Sequence, residues 1–219
     1  AAPDPQQQAL NITQDSLAPL VQRLDSKQYQ INLATASPEI ASGHAVVLSL
    51  CDGMGCSALA LKAIGASISR YIAVEIHEMS RVICQNANPE TVEFPGVDHS
   101  WRSDVQTITE KDVQELGEID MITFGAPCED VSKLRLLPDR RGSVRRPRVK
   151  GQDPRPGLDG PRGRVSRSCI QVLGWVLKYN PNAEYFIENV EFYDMPEDWA
   201  EVCQALGKPR VVNAADHSY

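Results

Sequence analysis

Two short segments carry side chains able to do covalent chemistry. In Gly125-Ala126-Pro127-Cys128, a cysteine follows a proline just beyond the apolar run Ile119 to Phe124. A thiolate there could attack an electrophilic carbon if positive charge or a helix N-terminus lowered its pKa. In Glu188-Asn189-Val190, a carboxylate directly follows Tyr185 to Ile187. An apolar setting would raise its pKa and let it act as an acid near neutrality. Taken singly, each residue also fits a structural role, since a buried cysteine is usually a small core residue.

A third constellation lies nearer the amino end. Cys51-Asp52-Gly53-Met54-Gly55-Cys56-Ser57 follows the apolar run Val46 to Leu50. Two glycines before a helix let backbone approach a ligand closely, but the spacing is not the G-x-G-x-x-G of a diphosphate cradle. Glu75 stands 23 positions after Asp52, where a strand-end carboxylate accepts from ribose hydroxyls. Asp104 would end a third strand region and could accept from an adenine amino group. Each acid also reads as an ordinary strand-end or turn carboxylate. Together the three describe an adenosine pocket without a diphosphate cradle, which favours S-adenosylmethionine over NAD.

The elements that must position these residues alternate. Val46 to Leu50 reads as a buried strand, and the next helix is expected to face Leu59, Leu61 and Ile64 inward and to end at Gly65. Tyr71 to Glu75 reads as the second strand. Met79, Val82 and Ile83 fall at helical spacing until Pro89. Thr109 can cap a helix running to Gly117. Strands follow at Ile119 to Phe124, Tyr185 to Ile187 and Val211-Val212, with Ile170, Leu173 and Leu177 on one helix face between the first two. This alternation predicts an α/β fold, a doubly wound and mostly parallel sheet, which binds ligands beyond the carboxyl ends of its strands. Residues 1–43, polar with a short helical stretch from Leu17 to Leu24, read as a linker or flexible lead-in, and residues 44–219 as the folded domain.

The chain has 219 residues and a net charge of -7. That sum hides a split. Residues 133–167 hold twelve Lys/Arg against three Asp/Glu, whereas the rest holds ten against twenty-six. A basic stretch on an acidic body suits polyanion binding in one place, and equally suits a solvated loop. With no run of eighteen apolar residues and no signal-peptide pattern, neither a membrane span nor secretion is expected. Six cysteines without a C-x-x-C pair point away from structural zinc, and no metal is expected; a reduced intracellular compartment fits them better.

The order Asp52-Gly53-x-Gly55, Glu75, Asp104, Pro127-Cys128, a long loop and Glu188-Asn189-Val190 resembles the DNA cytosine-5 methyltransferases, from about Val46 to Tyr219. Gly157-Leu158-x-Gly160 and Gly163-Arg164 ahead of a helix agree with it. Within that family the chain is most similar to the animal de novo type, through Leu48-Ser49-Leu50-x-Asp52-Gly53, Tyr71-Ile72-Ala73 before Glu75, and Ser132 after Glu129-Asp130-Val131. The resemblance implies a Rossmann-like class I methyltransferase fold, incomplete at its carboxyl end, with S-adenosylmethionine held around Asp52, Gly53, Met54, Gly55, Cys56, Glu75, Ile76, Asp104 and Val105. Cys128 would add to cytosine C6, Glu188 would hold or protonate N3, and Asn189 would steady both segments. The partner implied is double-stranded DNA with one cytosine flipped out. The basic catalytic loop 129–168, with Ser132, Arg162 and Arg164, would lie against it. A homo- or hetero-oligomer with another methyltransferase is also implied, in the nucleus of a eukaryote or otherwise in the cytoplasm.

Departures from the family pattern temper these expectations. Cys51 stands where the family carries an aromatic that packs on adenine, and Ser57 stands where it carries glycine. An insert over Arg140 to Pro154, expected to be disordered, lengthens the loop. The family's arginine motif, target-recognition region and last cofactor motif are expected beyond Tyr219, so the chain reads as a fragment lacking full activity. Three rivals remain: a catalytically silent relative that binds DNA or a partner methyltransferase, a transfer-RNA cytosine-5 methyltransferase, and a thiol-redox or NAD protein.

Overall fold

The computed structural model describes residues 45–136 and 155–210. The expected lead-in 1–43 with its Leu17–Leu24 helix, the insert Arg140–Pro154 and the Val211-Val212 strand lie outside the described residues.

Six strands form one sheet in the order β4-β3-β2-β1-β5-β6. They are β1 (Ala45–Leu50), β2 (Ile68–Val74), β3 (Thr91–Pro95), β4 (Trp101–Arg102), β5 (Met121–Gly125) and β6 (Glu184–Glu188). All pair in parallel except β3 with β4. Among the described residues four α-helices lie between strands, α1 (Cys56–Ala63), α2 (Glu78–Ala87), α3 (Glu110–Leu116) and α4 (Gly163–Tyr179), and a fifth, α5 (Pro196–Leu206), follows β6. The chain steps outward from β1 to β2 and β3, then returns to β5 and β6 on the other side. The expected doubly wound α/β sheet is therefore present, with its switch point between β1 and β5.

The register sets the site's floor. Leu50 is paired with Val74 and with Phe124, and Phe124 with Ile187. Cys51-Asp52, Glu75, Gly125 to Cys128 and Glu188-Asn189 therefore leave the sheet at one level.

Strand alternation sorts the core to two faces. Leu48, Leu50, Ile72, Ile122 and Phe124 pack against Val113 and Leu116 of α3 and against Ile170, Leu173, Val176 and Leu177 of α4. Each such side chain, fully buried, stabilises the fold by about 1.5–3 kcal/mol. On the other face Val47, Tyr71 and Ala73 meet Ala58 and Leu61 of α1 and Cys84 of α2.

One helix face differs from expectation, and a second has an orientation that spacing alone did not give. In α1, Leu61 is buried, but Leu59 and Ile64 are 49% and 63% exposed. The inward pair is Ala58 and Leu61, three residues apart, and the helix ends before Ile64. In α2, Met79, Val82 and Ile83 all face outward, and Cys84 is the buried residue. The reason is what waits inside. The Cys84 thiol donates to the Asp52 carboxylate at 3.2 Å, and buried Asn88, just past the helix, accepts from Lys62. A polar centre has drawn in the polar side of α2.

The β3–β4 hairpin is fixed by a second buried carboxylate. Asp112 accepts from the backbone N–H of Val97 and Thr109, from the Thr109 hydroxyl and from Arg102, and it completes the capping box of α3 that Thr109 begins. Burial pushes its pKa up, but these donors outweigh burial and hold it below 3.8. The stabilisation is thus full above the ordinary carboxylate value and is lost as pH falls through the folded value. Asp112→Asn should cost about 2 kcal/mol at pH 7. A difference in urea midpoints that does not shrink as pH falls through and below the ordinary carboxylate range would contradict this.

Candidate active site

Just beyond β1, the Asp52 side chain turns inward. Its Oδ1 accepts from the Ser49 hydroxyl at 2.6 Å and from the Tyr71 hydroxyl, and its Oδ2 accepts from Cys84. A further bond from Thr123 to Ser49, 3.1 Å long, carries the chain of hydroxyls to β5. Burial, then the Asp52 charge, push the Tyr71 phenol far above its usual range and the Cys84 thiol up to about 11. Asp52 is therefore the knot that ties β1, β2 and α2 under the glycine turn. Gly55 adopts a left-handed φ of 80°, and a Cβ there would lie 2.6 Å from Cys84 Sγ, so the turn can close over the knot only with glycine. Tyr71→Phe should lower stability by about 1 kcal/mol by removing one of three donors to the half-buried Asp52 carboxylate; an unchanged urea midpoint would deny Asp52 this role.

Above the knot, Glu75 accepts from the backbone N–H of Gly53 at 2.8 Å and of His77 at 2.7 Å. Its carboxylate therefore sits at the mouth of the loop. Met54 and Ile76 are exposed on the two segments that this carboxylate joins, and Cys56 is exposed at the start of α1. Asp104 lies two residues beyond β4 and caps the 3-10 turn Val105–Thr107 by accepting from Gln106 N–H; Val105 is buried. Cys51 has φ 52° and turns into the core, its Sγ 3.8 Å from Cys169 of α4. The Asp104 charge also reaches Cys169.

On the other side of the switch point, Gly125 is the register partner of Glu188. Glu188 folds back so that its Oε2 would lie 3.3 Å from a Cβ on Gly125. Asn189 donates to the Ala126 carbonyl at 3.2 Å and accepts from Val190 N–H at 2.8 Å, tying the end of β6 to the residue before Pro127. Cys128 is half-buried, and its carbonyl takes the N–H groups of Val131 and Ser132 in a tight turn. Burial, then the charges of Glu129 and Glu188, push its thiol above the ordinary value. The sulfur and the Glu188 carboxylate thus share one electrostatic neighbourhood. The condition set for Cys128 is not met among the described residues, since its pKa is raised. One expectation needs correction: Glu188 is exposed instead of apolar in setting, at the end of β6, the edge strand among the described residues.

The described part of the basic stretch divides. Arg162 and Arg164 are exposed, with Arg164 Nε donating to the Asp159 carbonyl. Ser132 is buried, and its hydroxyl accepts from Leu134 N–H at 3.2 Å. Arg155 and Arg167 turn inward. Arg167 forks onto Glu201 and also meets Asp159. Sequence reasoning missed Asp130, a buried carboxylate that accepts from Arg162 N–H at 2.8 Å and from Gly163 N–H at 3.3 Å. It sits at the amino end of α4, where a negative charge is favoured. Nothing local to Asp130 announces a partner 32 residues away.

Comparison with known proteins bears on this geometry. Residues 46–144 match the family model described as C-5 cytosine-specific DNA methylase. Among solved structures, the crystal structure of S. pombe Dnmt2 methyltransferase is similar at 19% identity and a TM-score of 0.42, over 74% of this chain and 40% of that one. The chain thus spans about two fifths of that relative's length. The matched segment runs through the glycine turn, Glu75, Asp104 and Pro127-Cys128, and over that stretch the chain is similar to the C-5 cytosine-specific DNA methylases.

Proposed function

We propose that this chain is the catalytic part of an enzyme that methylates C5 of a flipped cytosine in double-stranded DNA. The observation that carries the reading is the pairing of Gly125 with Glu188, which sets a thiol and a carboxylate at neighbouring strand ends. Cytosine C5 is a poor nucleophile until C6 gains a substituent. Cys128 would bond to C6 while Glu188 holds or protonates N3, leaving an enamine whose C5 is electron-rich. Loss of the C5 proton after methylation would then re-form the double bond and expel the thiolate.

S-adenosylmethionine would supply the electrophilic methyl group. The donor set fits it: Glu75 offers carboxylate acceptors at the loop mouth, Gly53 and Gly55 admit close backbone approach, and Met54 and Ile76 offer apolar surface. Asp52 would act through the loop's shape instead of by contact. Exposed Arg162 and Arg164 would meet phosphates and help offset the few kcal/mol that flipping costs. Likeness to the animal de novo type rests on Leu48 to Gly53, Tyr71 to Glu75 and Ser132 alone.

A silent, DNA-binding relative is favoured by one observation, the raised Cys128 thiol. Radiolabelled S-adenosylmethionine offered with duplex DNA and, separately, with transfer RNA tests the readings. Label in DNA supports the proposal, label in RNA alone moves the substrate, and label in neither with tight DNA binding supports the silent relative.

A further inference from the structure

We infer that Arg155 is a positioning residue that holds the Cys128 and Glu188 segments together, not a ligand for phosphate. This rests on the methyl-transfer reading of those two residues. Arg155 belongs to the basic stretch by sequence, yet its side chain is 2% exposed. One guanidinium nitrogen donates to the Val131 carbonyl at 3.1 Å and to Asp194 Oδ1 at 3.3 Å, and the other donates to Asp194 Oδ2 at 2.9 Å. Val131 lies three residues after Cys128, and Asp194 five residues after Asn189. A third segment of the chain therefore bolts the one that bears the nucleophile to the one that bears the acid.

The surroundings support this. Val131, Leu158 and Phe192 form a small core of their own, against which Cys128 and Val190 pack. Phe192 meets Trp199 edge to face at 5.2 Å. Gly157 N–H donates to the Asp130 carbonyl, joining the same segments through backbone. Arg155 holds the Asp194 carboxyl below its usual range. A planar fork suits one carbonyl plus a bidentate carboxylate, which an ammonium cannot match. A phosphate ligand must present its donors to solvent, and here they point inward.

The test is iodoacetamide labelling of the whole chain across pH, with each cysteine followed by peptide mass spectrometry. In Arg155→Met, Cys128 should label several-fold faster at pH 8, and its midpoint should fall as water enters and Glu188 recedes. Cys84 and Cys169 should keep their wild-type protection. Arg155→Lys should restore part of the slow labelling, and Asp194→Asn should show a smaller change of the same sign. The turnover rate should fall by about 100-fold at unchanged S-adenosylmethionine affinity, as expected when reacting groups are misplaced by about an ångström.

An unchanged Cys128 profile in both Arg155→Met and Asp194→Asn overturns the inference. So does simultaneous unmasking of Cys84 and Cys169 in both variants, which would make the contact a support of the whole fold. Loss of about one unit from the salt dependence of duplex binding in Arg155→Met would make Arg155 a phosphate ligand and overturn it too. A wild type that transfers no methyl group, while its Cys128 profile still responds to Arg155→Met, would sink the functional reading and leave the positioning role standing.

Discussion

Cys128→Ala is expected to lower methyl transfer by on the order of 10⁴-fold or more, because removing a covalent nucleophile disables the other groups that act with it. Without sulfur on C6, no enamine forms and C5 stays unreactive. The clearest measurement uses duplex DNA with 5-fluorocytosine at the target. Fluorine cannot leave C5 as the proton does, so the enzyme remains bonded to the base. A denaturation-stable adduct should form with the wild type only when S-adenosylmethionine is present, and should vanish with Cys128→Ala. Equal trapping by that variant would remove Cys128 from the mechanism. The raised thiol adds a requirement, since Cys128 holds its proton at neutral pH beside two carboxylates. Entry of the base, or of a phosphate-bound basic segment, must change that environment before attack. Glu188→Gln should lose less, because the amide can still bond to the ring edge but cannot deliver a proton.

Gly163→Ala should have the largest effect on stability, about 3 kcal/mol or more, through a backbone collision that no rotamer relieves. A Cβ at Gly163 would overlap the Gly157 carbonyl oxygen and come within 2.5 Å of the Leu158 Cα. The 3-10 turn Gly157–Asp159 lies directly on the first turn of α4, and Asp130 fills the remaining space beside Gly160. Moving the turn would break the bonds from Arg162 and Gly163 N–H to Asp130 and shift Val131 with it. A thermal midpoint at the wild-type value would show that the turn can slide. Gly117→Ala is the comparison for backbone strain without collision, since φ there is 84° but a Cβ meets nothing within 4 Å.

Strands β1, β2, β5 and β6 and the row of residues at their ends were legible because apolar runs report burial directly, and register follows from parallel pairing; the short β3–β4 hairpin was not. Cys128 and Glu188 could be placed on that basis alone. The partners of Asp52 could not be read. Its side chain turns inward because Tyr71 on the next strand and Cys84 on the next helix both offer it donors, and neither lies near it in sequence. The same cause hid the orientation of α2, where Met79, Val82 and Ile83 mark an amphipathic helix but not which side faces in. Charge counting treated residues 133–167 as one basic surface, whereas Arg155 and Arg167 are paired with acids 39 and 34 positions away. Net charge over a window carries no information about such partners.

The small core of Val131, Leu158 and Phe192 draws on three stretches that are remote along the chain. Each of its contacts closes a loop that the sheet does not need, so it forms after the sheet has condensed and opens before the sheet melts. Warming or mild denaturant should then silence the protein at a point where its ellipticity is still that of the native state.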